Sequence, residues 1–325
     1  MLDLKWLDWS RKVKRGVLRQ LASVGLEPPA LKILRHDEPV GSYDVTLRRA
    51  GAGFELALPS QRPPVHPRKR ALSHSAAYLC WMMAAPEGVA QISGNTSDGH
   101  EPSVAQFSFS SCGQTVPVPD YFFFRSRGHD AMHEAAAQVA LPWADRGAEV
   151  VWRGRANGLG PLLTDCAAGQ PGVNQRLAMA LRCRGGEIDF RFIDEPERGE
   201  AAALRAQGLL GERLASESWG QRKYAIDIDG ITNTWDNLFH RLLLGCCVLK
   251  VDSPFGFRQW YYDRLEAGRH FVPVRADLAD LEEKLEWLRS HDAEAHEIAQ
   301  EGQALAREMT WERERARAAE ILAAG

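Results

Sequence analysis

Three segments combine residue types that can do chemistry at workable spacing. The first is Trp152-Arg153-Gly154-Arg155-Ala156-Asn157-Gly158-Leu159-Gly160, at the end of a strand expected over Glu149–Trp152. Glycines at a strand end let the backbone approach a ligand and aim N–H groups at an anion. Two guanidiniums add bidentate donors that suit a diphosphate. The spacing matches neither the dinucleotide-binding fingerprint nor the Walker loop, so a turn with solvated arginines is the competing reading. The second segment, Asp229-Gly230-Ile231-Thr232-Asn233, feeds a helix expected at about 235–244. A helix N-terminus beyond the carboxyl end of a parallel strand favours phosphate, while Thr232, Asn233 and Thr234 also suit plain helix capping. The third is Asn95-Thr96-Ser97-Asp98-Gly99-His100. An aspartate in a polar strand-end turn can act as a general base toward a hydroxyl, and Asp-Gly equally suits an Asx-turn.

Other patterns read as structure. Asp227-Ile228-Asp229 is formally D-x-D, but strand alternation alone puts the two carboxylates on one face, and no metal is expected there. Gly94-x-x-Ser97-x-Gly99 has one residue too many for the G-x-S-x-G elbow, so no hydrolase triad is expected. His129, His133 and Glu134 share a helical face but lack the H-E-x-x-H order. Met82–Met83 and Phe122–Phe124 read as core.

The elements that must position these residues fall into two halves. The 325 residues are 45% apolar and 26% charged, a folded balance that excludes disordered and low-complexity architectures. Strands are expected at Tyr43–Leu47, Phe54–Leu58, Val89–Ile92 and Val104–Phe109, with a buried helix over 74–85 and a Pro/basic loop at 61–70. An aromatic stretch at Tyr121–Phe124 precedes a helix from about 130 to Pro142. The second half alternates more cleanly. After Glu149–Trp152 come a helix near 174–183 capped by Asn174, and strands at Ile188–Ile193, Lys223–Ile228 and Val248–Val251. Gly245 closes the helix at 235–244, and two long helices follow near 277–289 and 291–308. This rhythm predicts a doubly wound parallel sheet, with a domain boundary between Pro142 and Glu149.

Forty basic against 43 acidic residues give a net charge of −3, so no whole-molecule field draws a polyanion and no nucleic-acid partner is expected. Cysteines at 80, 112, 166, 183, 246 and 247 form neither C-x-x-C nor a disulfide framework, which points to a reducing compartment. No window approaches ~18 apolar residues, and MLDLKWLDWSRKVKRG lacks the apolar stretch of a secretory signal. A cytoplasmic protein is therefore expected. Residues 2–22 set Leu2, Leu4, Leu7, Trp9, Val13, Val17 and Leu21 at near-helical spacing among Lys5, Arg11, Lys12, Lys14, Arg15 and Arg19. A surface helix packed on its own domain is the default, and peripheral contact with an anionic membrane is the alternative. Ten tryptophans against six tyrosines is an unusual ratio, and Trp152 and Trp235 stand beside the first two segments.

The carboxyl-terminal half resembles glycosyltransferase family 90. The resemblance is carried by Lys223-Tyr224-Ala225-Ile226-Asp227-Ile228-Asp229-Gly230, Val248-Leu249-Lys250-Val251-Asp252-Ser253 and Arg269-His270-Phe271-Val272-Pro273-Val274. Asp277-Leu278-Ala279-Asp280-Leu281 and His291-Asp292-Ala293-Glu294-Ala295 continue it. Trp152-Arg153-Gly154 looks like the family's F-R-G-S-R loop, and Phe107-Ser108-Phe109-Ser110 follows Asp98 as in the protein O-glucosyltransferases. The likeness covers roughly residues 90–310. It implies an α/β protein of GT-B type, two Rossmann-like domains facing a central cleft. Residues 1–146 would form the acceptor-side domain, 147–308 the nucleotide-sugar domain, and 309–325 a helix packing back on the first.

By the same resemblance, Asp98 stands where the family places its catalytic base. Trp152, Arg153, Gly154, Arg155, Asn157, Asp229, Gly230, Thr232, Asn233, Trp235 and Arg241 stand at the UDP-sugar donor. The chain departs from the pattern twice. The loop's second arginine sits one place early, at Arg155, with Asn157 beyond it. The arginine that eukaryotic members carry after their D-G turn is replaced by Asn233-Thr234-Trp235-Asp236-Asn237, leaving Arg241 as the substitute. The expected activity is inverting transfer of glucose, xylose or galactose from a UDP-sugar to a hydroxyl of a surface-glycan or lipid-linked acceptor, without metal or other cofactor. The family includes lipopolysaccharide- and capsule-modifying enzymes. The rivals are a non-catalytic nucleotide- or glycan-binding protein on the same fold, and a metal-dependent transferase using Asp227 and Asp229.

Overall fold

In the computed structural model, which describes residues 4–36, 41–59, 68–162, 172–193 and 200–325, the chain divides into two units. Cys166 and most of the Pro/basic loop at 61–70 lie outside the described residues. The first unit comprises Met1–Asp130, Arg258–Tyr261 and Met309–Gly325, and the second Ala131–Phe257 and Tyr262–Glu308.

In the first unit, helix α1 (Leu4–Ser23) buries Val13, Val17 and Leu21, spaced four apart, and exposes Arg11, Lys14, Arg15 and Arg19. Strands β1 (Leu31–His36), β2 (Asp44–Ala50) and β3 (Gly53–Pro59) precede helix α2 (Arg68–Ala84), and β4 (Gln91–Asn95), β5 (Phe107–Ser108) and β6 (Val116–Pro117) follow it. They form one sheet in the order β1-β3-β2-β4-β5-β6. Strand β2 runs antiparallel to both neighbours and the other pairs are parallel, so this sheet is mixed rather than doubly wound. The strand expected over Val104–Phe109 shrinks to two residues because Asp44 captures Ser103 Oγ at 2.7 Å and Val104 N at 2.8 Å. The aromatic stretch is helix α3 (Tyr121–Arg125), capped by Asp120 Oδ1, which accepts from Phe122 N at 2.7 Å and Phe123 N at 2.9 Å.

The second unit contains α4 (Asp130–Val139), β7 (Val151–Gly154), α5 (Gln175–Cys183), β8 (Asp189–Ile193), α6 (Glu200–Ala206) and β9 (Leu210–Gly211). It continues with β10 (Tyr224–Asp227), α7 (Asp236–Leu243), β11 (Cys247–Val251), β12 (Val272–Val274), α8 (Leu281–Ser290) and α9 (Asp292–Glu308). Two all-parallel triplets, β7-β8-β9 and β10-β11-β12, are linked by a parallel bridge between Gly147 and Arg222, where Lys223 N donates to Gly147 O at 2.8 Å. The resulting order is β9-β8-β7-β10-β11-β12, a doubly wound sheet whose chain direction of travel reverses between β7 and β10. All five residues of β11 are buried, as a central parallel strand requires.

The division at Asp130–Ala131 lies ahead of the boundary expected between Pro142 and Glu149. The physical reason is local. Leu141 N donates to Gly220 O at 3.0 Å, and Arg146 reaches the carbonyls of Leu141, Leu244 and Gly245, tying this stretch into the second unit. Helix α10 (Trp311–Ala324) belongs to the first unit. Trp311 packs 5.6 Å from Trp81, and Glu314 accepts from Trp260 Nε1 at 3.0 Å. Cys80, Cys112, Cys183, Cys246 and Cys247 are free thiols. Among the described residues no helix is long and apolar enough to cross a membrane.

Candidate functional site

In an open parallel sheet, ligands bind beyond the carboxyl ends of the strands where the winding reverses. Here those ends are the loop after β7 and the turn after β10, and the two touch. A Cβ on Gly158 would stand 3.2 Å from Gly230 O and collide with Asn174 Nδ2, so only glycine lets the loops close to this distance. A Cβ on Gly154 would press on the Trp152 ring, which stacks on Phe190 at 4.0 Å.

A residue that the motifs did not single out holds the loops together. Arg176, 6% exposed, donates to Ile228 O from Nη2 at 3.0 Å and Nε at 3.3 Å. Its Nη1 donates to Asn157 Oδ1 at 2.5 Å and Arg155 O at 3.2 Å, and its guanidinium lies 5.2 Å over Trp152. Burial lowers its pKa to about 10, against the opposing pull of Asp229 and Asp227. A signal for it did exist in the sequence. Asn174 caps α5 through Leu177 N at 3.2 Å, which puts Arg176 in the first turn, where a cation opposes the helix dipole. A cation there serves neighbours rather than its own helix.

The arginines expected at the diphosphate are placed differently. Arg153 pairs with Asp189 Oδ2 at 2.5 Å and donates to the carbonyls of Asp189, Trp152 and Glu212, bracing β7 to β8 and the strand beyond. Arg241 is buried, stacks 3.7 Å over Trp219, and donates to Ser216 and Asn237. Burial lowers its pKa to about 10. Among the described residues neither guanidinium makes a hydrogen bond to the β7 or β10 loop. Arg155 is the exposed arginine of the β7 loop, and Asn157 is half-buried beside it.

The turn after β10 is tightly wired. Asp227 Oδ1 accepts from Thr234 Oγ1 at 2.5 Å, and its Oδ2 faces Lys250 Nζ at 3.5 Å. Lys250 alone interrupts the apolar run of β11, a sign of a buried counter-charge that sequence reading passed over. Asn233 Oδ1 accepts from Trp235 N at 2.6 Å, and Thr232 is buried beside it. Trp235 has φ 57° and ψ −116°, strained backbone directly before α7. Asp229 is buried, and burial raises its carboxyl to about 6 although Lys250, Ser253 and Arg176 pull it down. Asp229, Gly230, Gly158, Gln175, Pro254 and Phe255 line a small hollow at the strand end.

In the first unit, Asp98 lies in the polar turn after β4, 8% exposed. Asn95 makes an Asx-turn: its Oδ1 accepts from Ser97 N at 2.9 Å and Ser97 Oγ at 2.5 Å. Thr96 Oγ1 donates to Tyr43 O at 2.7 Å, and Gly99 N donates to Ser97 Oγ at 3.0 Å. Gly99 has φ +96°, and a Cβ there would collide with Ser110 O. His129 is a buried residue against Phe123, with Nδ1 3.0 Å from Ser126 Oγ. Among the described residues no group of three or more His, Cys, Asp or Glu side chains is placed to hold a metal ion.

The family model for glycosyl transferase family 90 matches residues 97–313, more than half of the chain. Human protein O-glucosyltransferase 3 is 40% identical over 125 residues, covering 38% of this chain and 22% of that protein. Protein 179R of Invertebrate iridescent virus 6 is 30% identical over 182 residues, covering 49% of this chain and 15% of that protein. The chain thus spans less than a quarter of the length of either relative. Among solved structures, Anabaena Alr3699/HepE in complex with UDP-glucose aligns over 55% of this chain and 50% of that one, with 16% identity and a TM-score of 0.37.

Proposed function

The chain belongs to glycosyltransferase family 90, and on that premise we propose that it is an inverting enzyme moving a sugar from a UDP-sugar to a hydroxyl of a surface-glycan or lipid-linked acceptor. The observation that carries this reading is the winding reversal in the second unit, where a glycine loop and an Asp-Gly turn meet at the ends of β7 and β10 under the Arg176 latch. The family match spans both loops and Asp98. In the reaction, the acceptor oxygen forms a bond to the anomeric carbon as Asp98 takes its proton. The bond from that carbon to the diphosphate oxygen breaks on the opposite face, inverting the centre. Backbone N–H groups of the β7 loop, Arg155 and the N-terminus of α7 are the candidates to stabilise the departing UDP. No metal is assigned a part in this, and turnover that survives a chelator is the expected result.

The named activity of the relatives makes glucose the first donor to test, with xylose and galactose beside it. The test is turnover of a UDP-sugar panel with hydroxyl acceptors and the anomeric configuration of the product. Retention of configuration would overturn inversion. Tight UDP binding with neither hydrolysis nor transfer across the panel would establish a non-catalytic binding protein instead. A cytoplasmic site of action, with the acceptor's lipid met through Arg11, Lys14, Arg15 and Arg19 of α1, completes the reading. Flotation with anionic vesicles at low salt tests that contact, and its absence would leave α1 as a packed surface helix.

A further inference from the structure

The turn that carries Asp98 is held by a residue well ahead of residue 97, where the family match begins. Asp44 opens β2 opposite Asn95, the last residue of β4, and is 3% exposed. Its Oδ1 accepts from Asn95 Nδ2 at 2.8 Å and Ser103 Oγ at 2.7 Å, and its Oδ2 accepts from Val104 N at 2.8 Å. Residues 96–102, with Asp98 among them, thus leave one carboxylate and return to it. Asn95 carries the hold inward. With Nδ2 fixed on Asp44, its Oδ1 faces Ser97 N and Oγ, and Ser97 Oγ in turn accepts from Gly99 N. Asp98 lies between these two anchored residues. Gly41 closes over the clamp, where a Cβ would come within 2.5 Å of Asp44 Oδ2 and 2.8 Å of Pro102 O.

We propose that Asp44 is a positioning residue for the transfer reaction, clamping both ends of the 96–102 loop so that Asp98 meets the acceptor hydroxyl in one place. The inference rests on Asp98 being the base. The clamp requires a carboxylate, because Asn95 Nδ2 and Val104 N are fixed donors on opposite oxygens. An amide carries one oxygen and one NH₂, so asparagine at this position turns N–H toward a donor whichever way it faces. The Asn95 amide cannot flip in response without losing Ser97. A loop released at one end moves its tip, and misplacing a reacting group by about 1 Å can cost about 100-fold in rate. Asp44 therefore acts on the chemistry through Asn95 and Ser97, without touching the substrate itself.

The test is steady-state transfer from UDP-glucose by the full chain, at a temperature where circular dichroism shows each variant folded. Asp44→Asn should lower kcat by about 10- to 100-fold with donor KM within about twofold of wild type, a split that lost stability alone does not produce. Pairing Asp44→Asn with Asn95→Asp should restore kcat to within about threefold of wild type. The new amide at 44 then donates to the new carboxylate at 95, and its oxygen still accepts from Val104 N. Ser103→Ala removes one arm at a half-buried site, should lower kcat by about 3- to 10-fold, and carries the test should Asp44→Asn not fold. Wild-type kcat in the folded variants, or a loss that the paired exchange does not recover, overturns the clamp. It leaves the base standing if Asp98→Asn is slow in the same assay. Full turnover by Asp98→Asn, or wild type that transfers no sugar, overturns both.

Discussion

Two Asp-Gly turns follow strands in this molecule, Asp98-Gly99 after β4 and Asp229-Gly230 after β10, and their surroundings differ. Around Asp98 the turn's backbone is held by the short side chains of Asn95, Thr96 and Ser97, with Tyr78 Oη donating to Asn95 O at 2.7 Å and Asn95 Nδ2 donating to the buried Asp44 Oδ1 at 2.8 Å. Around Asp229 the surroundings are ionic, with Arg176, Lys250 and Asp227 within its electrostatic reach, and the carboxylate itself is pushed up to about 6. The same dipeptide therefore serves two ends. Beside Asp98 short polar side chains fix the backbone of the turn, which suits a group that must be presented in one position. Beside Asp229 the charges of Lys250, Asp227 and Arg176, together with burial, set the state of the carboxyl itself.

The largest expected effect tests the first half of that contrast. Asp98→Asn should lower kcat by about 10²–10⁴-fold with donor KM little changed, since a general base acts in the transition state. Full turnover by this variant would remove Asp98 from the chemistry. Next is the latch. Arg176→Ala leaves the Ile228 carbonyl, Asn157 and the neighbouring carboxylates without their cation, and should cost about 3–5 kcal/mol in chemical denaturation. A loss under about 1 kcal/mol would show that the two loops do not depend on it.

The pH profile comes third. Because the folded state raises Asp229 from 3.8 to about 6, it binds that proton more tightly than the unfolded chain does. The group's contribution is therefore most favourable below about pH 4, falls by about 2–3 kcal/mol as pH rises to about 6, and is level above that. Urea denaturation across this range should show the fall in wild type and lose it in Asp229→Asn; equal profiles would contradict the ionic account of this turn. The smallest effect is expected at Arg153→Ala. Its guanidinium is already spent on Asp189 and three carbonyls, so UDP affinity should change by less than about threefold, with a modest loss of stability. A tenfold loss of UDP affinity would restore Arg153 to the diphosphate.

What was legible beforehand was what neighbours in sequence decide. Asn174 caps α5, Gly245 ends α7 with φ +73°, and the alternation of Tyr224–Asp227 with α7 and Cys247–Val251 is a β-turn-α-β unit. The glycine loop after β7 and the Asp-Gly turn after β10 were legible for the same reason, since glycines after a parallel strand announce a close backbone approach. Less legible were the partners of long cationic side chains. Arg153 turns to Asp189 and Arg241 to Ser216, each across tens of residues, while Arg176 reaches Asn157 and Ile228. Nothing local distinguishes an arginine that will meet a phosphate from one that will brace a sheet.

By itself the sequence determined the family, the doubly wound rhythm of the second half and the two Asp-Gly turns, because periodicity, capping and glycine placement act within a few residues. Only the tertiary structure decided that the first unit's sheet is mixed, that α10 belongs to that unit, and that Asp229 is buried among Lys250, Asp227 and Arg176 while Asn95 makes an Asx-turn ahead of Asp98. Those outcomes depend on which distant segments supply counter-charges and hydrogen bonds. Burial turns that choice of neighbours into a difference in chemistry.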